Sequence, residues 1–140
     1  GEVKLKNGYL TVTLPNGASA GAAERSVQQS LKNWYQTRAL EKLKEKTKRY
    51  AAILGVNPQS VDVKEYKARW GSCSSSGDVT YNWRIIIAPH HIVDYIVAHE
   101  LCHLLEHNHG PKYWKHVQSI VPDYRECREW LKVNGDGLRL

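Results

Sequence analysis

Two histidines four residues apart, with a glutamate after the first, form the stretch of this sequence best suited to chemistry: His99-Glu100-Leu101-Cys102-His103. On a helix, residues four apart share one face about 6 Å along the axis, so two imidazoles can grip a single metal ion between them. Glu100 is then placed to address a water held by the metal rather than the metal itself. That combination suits hydrolysis: zinc polarises a carbonyl and acidifies a water, and the carboxylate takes the proton. HExxH strings also arise by chance, and paired histidines can be satisfied core residues. Here the surrounding run is apolar, so two imidazoles and a carboxylate within it need partners, which a metal provides. A purely structural zinc site would recruit cysteines and close the fourth coordination position.

Catalytic zinc usually takes three protein ligands and leaves one position open. His109 follows a helix-breaking Asn108-His109-Gly110-Pro111, where a reversing chain can fold a side chain back onto the ion, and Gly110 gives that turn its freedom. The residues favour His109 as the third ligand. Its rivals are His116 in the following segment and an acidic residue further on, Glu126 or Glu129. His107 lies a further helical turn along and reads as a surface or supporting residue; His90 and His91 open the motif helix and read as exposed.

The motif needs a helix, and residues 90–106 carry Ile92, Val93, Ile96, Val97, Leu101, Leu104 and Leu105 at helical spacing. Pro89 suits the start of that helix. Upstream, residues 79–88 are rich in β-branched and aromatic side chains and predict a strand. Residues 60–70 predict another, and 71–78 read as a loop from their Gly and Ser content. Leu31, Tyr35, Ala39, Leu43, Thr47, Tyr50 and Leu54 recur at steps of three and four, predicting one long amphipathic helix over about 18–54 that Gly55 ends. Residues 3–14 alternate as one or two short strands before a Pro15-Asn16-Gly17 turn signal. Residues 112–121 and 123–133 predict two short helices. Strands and helices in this order make an α+β fold.

The chain has 140 residues and no run of eighteen apolar residues, so no membrane partner is expected. Three widely spaced cysteines, Cys73, Cys102 and Cys127, fit a reducing cytoplasm rather than a disulfide framework. Cys102 falls where a helix turns it away from both histidines and reads as a buried, inert thiol. A net charge of +6 and a pI near 9.3 raise the question of nucleic acid. Lys42, Lys44, Lys46, Lys48 and Arg49 cluster on the long helix, with Lys64, Lys67 and Arg69 beyond. Interleaving with Glu41 and Glu45 makes a solvated helix face the better account, leaving weak nucleic-acid association through a basic surface as the lesser expectation.

The spacing HExxHxxxxxH is shared with the metzincins, but Glu106 stands where they place Gly, and the chain contains no Met for their Met-turn. The sequence resembles the YgjP-like metallopeptidases, a family related to the SprT-type zincins. The resemblance is carried by Trp34-Tyr35, Ala39, Arg69-Trp70-Gly71-Ser72-Cys73-Ser74-Ser75, Asn82-Trp83-Arg84 and Ala88-Pro89. It continues through the HExxH motif, Asn108-His109-Gly110, Tyr113-Trp114 and Pro122-Asp123-Tyr124. It implies a zincin-like core with a small mixed or antiparallel sheet against the long N-terminal helix and the motif helix, followed by short C-terminal helices. It implies His99, His103 and His109 as zinc ligands and Glu100 as general base, with residues 1–140 forming a single metallopeptidase domain. Family members carry an additional N-terminal β-rich stretch, so a natural extension ahead of Gly1 is expected.

The function expected is that of a zinc-dependent peptidase acting on a peptide or protein substrate. The alternatives are a hydrolase of a non-peptide amide, with the same metal chemistry, and a DNA-associated protein-processing or binding module, as in the SprT relatives. The strand over 79–87 is expected to pair with an extended substrate. For the oxyanion, Tyr113, Arg84 and Trp70 are the nearby residues, with packing of the next helix the simpler account of Tyr113 and Trp114.

Overall fold

Helix α1 (Ala20–Leu54) runs for 35 residues without Pro, in a computed structural model that describes residues 2–6, 8–13 and 19–138. The Ser19 hydroxyl accepts from the Ala22 N–H at 3.1 Å and caps its start. Gly55 ends it in the left-handed region, φ 73°, donating its N–H to the Ala51 carbonyl. Ala39, Leu43, Thr47 and Ala51, each four residues after the last, face inward. Tyr35, Tyr50 and Leu54 pack beside them, half-buried. Ala18 and the Pro15–Gly17 turn signal lie outside the described residues, and the short strands ahead of them form an antiparallel hairpin, β1 (Val3–Lys6) with β2 (Tyr9–Val12).

The main sheet has three strands in the order β3 (Ser60–Lys64), β5 (Asp78–Asn82), β4 (Gly71–Cys73). β3 runs parallel to β5, and β4 antiparallel to it. The expected loop over 71–78 is therefore half strand, with Gly71–Cys73 in β4 and Asp78 opening β5. Only Ser74–Gly77 turns, and Asp78 clasps that turn by accepting from the Ser60, Ser74 and Ser76 hydroxyls. These bonds, led by Ser60, hold the Asp78 carboxyl below its usual range. Glycine is required at Gly77 because φ is 94° and the Gln59 N–H lies 3.1 Å from where a Cβ would stand.

Two expected strands are shorter than their composition suggests. β3 stops at Lys64, and residues 65–70 cross over irregularly, tied by the Asn82 amide donating to the carbonyls of Tyr66 and Arg69. β5 stops at Asn82, whose side-chain oxygen accepts from the Arg84 N–H and caps a 3-10 turn, Trp83–Ile87. The apolar run after Asn82 thus serves that turn, which packs against α1 with Trp83 and Ile85 buried. A short apolar run does not distinguish these outcomes by periodicity.

Helix α2 (His90–Cys102) crosses α1 and buries nearly every side chain between Ile92 and Cys102. Helices α3 (Pro111–Ile120) and α4 (Tyr124–Asn134) then pack against it, burying Tyr113 and Val117 from one and Tyr124 and Cys127 from the other. A second 3-10 turn, Gly135–Gly137, follows. Lys46, expected on the solvated face of α1, instead pairs with Asp94 of α2 at 2.6 Å, with 12% and 24% of the two side chains exposed. Its basic neighbours Lys42, Lys44, Lys48 and Arg49 are exposed.

Glu65 joins two elements, pairing with Lys32 of α1 at 2.6 Å and with Arg84 of the first 3-10 turn. The Lys32 hydrogen bond foremost, with the Arg84 charge, draws its carboxyl below the ordinary 4.5 against desolvation. A carboxyl whose folded pKa is depressed stabilises the fold fully above its unfolded value and loses that contribution as pH falls through the folded one. Urea unfolding of Glu65→Gln should therefore vary less with pH than the native protein below about pH 4.5. The two curves should converge in acid; parallel curves would contradict this role.

Candidate metal centre

Helix α2 changes character at its last turn. The N–H groups of His103, Leu104 and Leu105 bond carbonyls three residues back (Glu100, Leu101, Cys102) rather than four. The expected helix to residue 106 therefore ends at Cys102, and His103 becomes its C-cap. This tightening leaves the His99 carbonyl without its usual partner, and the Tyr113 hydroxyl donates to it at 2.6 Å. Burial pushes the Tyr113 hydroxyl well above its usual range, so it stays a protonated donor. Tyr113 is therefore committed to positioning His99, and its ring stacks on His103 at 4.7 Å between centroids.

The chain then reverses through residues 103–110 and returns His109 to the helix end. His109 Nε2 lies 3.0 Å from His103 Nε2, and ligand atoms of His99, His103 and His109 all fall within 4.8 Å of one another. Among the described residues this is the only group of three or more His, Cys, Asp or Glu side chains so placed. His103 Nδ1 faces the His107 carbonyl at 3.1 Å, which favours the tautomer that keeps Nε2 free for the cluster. Trp114 stacks on His109 at 5.8 Å. Desolvation and the neighbouring imidazoles hold His103 and His109 below the usual histidine range, favouring neutral rings.

The donor set fits a metal of borderline softness. Three nitrogens held tetrahedrally at 2.0–2.1 Å would stand roughly 3.4 Å apart, so small side-chain rotations bring these three to that spacing. No thiol competes within the group: Cys102 is fully buried, and burial pushes its thiol up to about 12. His116 and the exposed Glu126 and Glu129 stand outside the cluster, as do the exposed His90 and His91. His107 is exposed and contributes its carbonyl rather than its ring.

Glu100 is 5% exposed and sits beside the cluster, one carboxylate oxygen 3.3 Å from His99 Nδ1. Its space is made by Gly71 of β4. A Cβ there would stand 3.0 Å from Glu100 Oε2 and 3.1 Å from both Glu100 Cγ and the Thr80 carbonyl. His99 and Glu100 open into a cavity of about 240 Å³ walled by Arg69, Trp70, Gly71, Tyr95, Ile96 and Leu131. Trp70 is itself backed by Gly135, where a Cβ would meet its ring at 2.8 Å. Arg84, considered for the oxyanion, is paired with Glu65.

A scan of family patterns matches the YgjP-like metallopeptidase domain over residues 3–134, nearly the whole chain. The chain belongs to the YgjP-like metallopeptidase family. No curated protein matches it. Among solved structures, the metallopeptidase zymogen abylysin of Pyrococcus abyssi is similar at 22% identity and TM-score 0.58, covering 64% of this chain and 93% of that one. The zymogen jannalysin of Methanocaldococcus jannaschii is similar at 21% and 0.55, covering 65% and 96%. At these identities the likeness is one of fold. This YgjP-like chain is thus an α+β metallopeptidase, and its family implies a bound metal.

Two roles were not visible in the sequence. Gly71 read as a loop glycine, although it makes room for Glu100. β5 was the expected partner of an extended substrate, yet it is central, with β3 on one side and β4 on the other. The outer edge of β4, beside Glu100, has no strand partner among the described residues. Gly71→Ala should displace the Glu100 carboxylate and lower kcat by roughly 100-fold, the scale of a 1 Å misplacement, while bound metal is retained. Parallel metal analysis and steady-state kinetics check this; an unchanged kcat would show that Glu100 does not depend on that space.

Proposed function

We propose that this chain is a zinc peptidase in which His99, His103 and His109 hold the metal and Glu100 is the general base. The observation that carries the reading is the buried Glu100 carboxylate beside three convergent imidazoles at the wall of a cavity. Zinc on these nitrogens would supply Lewis acidity toward a carbonyl and lower the pKa of a water. Glu100 takes the proton of the attacking water as the new C–O bond forms. It returns that proton to the leaving amine as the C–N bond breaks. Tyr113 and the His107 carbonyl keep His99 and His103 oriented through both steps. The free edge of β4 receives the extended peptide, its backbone running past Glu100.

The substrate class is peptide or protein. Residues 1–140 act as a single catalytic domain in this reading. Three free cysteines suit a reducing cytoplasm, and no helix among the described residues is long and apolar enough to cross a membrane.

Glu100→Gln should retain stoichiometric zinc and lose at least about 100-fold in kcat, because it removes the base and no ligand. His109→Ala should lose zinc on dialysis against a weak chelator, read by elemental analysis. Full zinc in His109→Ala would reject His109 as the third ligand and return attention to His116 or Glu126. After chelation, peptide cleavage should be restored by zinc; restoration by another divalent metal alone would reject zinc as the working ion.

A further inference from the structure

Beyond the cavity that holds His99 and Glu100 lies a second groove, of about 470 Å³, lined by Trp70, Leu131, Arg125, Arg128, Lys132 and Glu129. The two spaces share Trp70 and Leu131 as a common wall. Arg125, Arg128 and Lys132 are spaced three and four apart on α4, so they form one stripe along the groove. Among the described residues none of the three pairs with a carboxylate, although Glu129 lies in the same lining. Three cations against one anion leave the groove positive and unneutralised. Arg128 is also held in place: its guanidinium lies 4.6 Å over the Trp114 ring, which stacks in turn on His109 and on Tyr124. A fixed cation thus stands one aromatic ring away from the candidate metal centre.

We propose that this groove is a subsite for a substrate carboxylate, read by Arg128 with Arg125 and Lys132 in support. It would accept either an acidic side chain near the scissile bond or the peptide's own C-terminus. The proposal rests on the peptidase reading above and names what that peptidase selects. Guanidinium matches carboxylate geometry and binds it through charge-assisted hydrogen bonds. Trp70 and Leu131 offer apolar surface to the methylenes of a glutamate, and a lysine or arginine side chain would meet like charge. A peptide is favoured over a nucleic acid because the groove opens beside the Glu100 cavity. The stripe also spans only eight residues, about 10 Å of helix, a short track for a phosphate backbone.

The test uses zinc-loaded protein and peptides matched except for Glu or Gln at each position flanking the cut, each with a free or amidated C-terminus. The expected result is a kcat/KM roughly five- to twentyfold higher for the acidic member, expressed mainly in KM. A preference that survives amidation assigns the carboxylate to a side chain; one that vanishes assigns it to the C-terminus. Arg128→Gln, and separately the Arg125→Gln/Lys132→Gln pair, should bring the ratio toward one and flatten its dependence on salt. Equal cleavage of both members would overturn the subsite and leave the peptidase reading standing. If no peptide is cut, the peptidase reading fails, and the groove is judged by equilibrium binding of the same fluorescently labelled peptides to Glu100→Gln. There, equal affinity overturns the proposal. So does a single-stranded oligonucleotide that binds more tightly than the acidic peptide and is released by the same α4 substitutions.

Discussion

The tightened end of helix α2 is the constraint on which the site depends. Shifting from four-residue to three-residue hydrogen bonds at His103 frees the His99 carbonyl for Tyr113 and lets the chain turn back at once. The same turn sets the His107 carbonyl against His103 Nδ1 and delivers His109 to His103. Had α2 continued to residue 106, His103 would lie inside a regular helix and His109 would be carried a turn further from it. One change of backbone pattern thus aligns three rings, and the aromatic side chains of Tyr113 and Trp114 wedge them from α3.

Around this turn the fold supplies a shaped setting. α2 is buried along most of its length by α1, α3, α4 and the sheet, so the few polar groups it carries are held in fixed geometry. The sheet contributes through absence of bulk: Gly71 lets β4 press against Glu100, which places beside a carboxylate a strand edge that has no strand partner among the described residues. Trp70 closes the far wall and is set by Gly135 at the C-terminal end. Elements distant in sequence, 70–71 and 131–135, therefore define the space in which the motif acts.

The sequence was most informative where one physical signal dominated. α1 followed from uninterrupted helical spacing closed by Gly55, and α3 and α4 from the segments that Pro111 and Pro122 mark off. The convergence of His99, His103 and His109 was legible because a four-residue spacing puts two rings on one helix face and the break before Pro111 turns the chain back toward them. Gly110 itself is extended at φ −89°, so the turn does not draw on a glycine's freedom. Competing signals hid the rest. The isoleucines after Asn82 have strand propensity, but Asn82 caps a 3-10 turn and packing on α1 decides their conformation. Glycine and serine over 71–78 suggest a loop, while pairing with β5 holds Gly71–Cys73 extended. Lys46 looked like one more surface charge until Asp94, 48 residues away, met it. Contacts of that range leave no periodic trace in a single sequence.

X-ray absorption at the zinc edge of the reconstituted protein tests the central claim most directly. The account predicts three imidazole nitrogens and one further light atom at about 2.0–2.1 Å, with one imidazole lost in His109→Ala. A sulfur scatterer at about 2.3 Å, or an unchanged nitrogen shell in that variant, would contradict it.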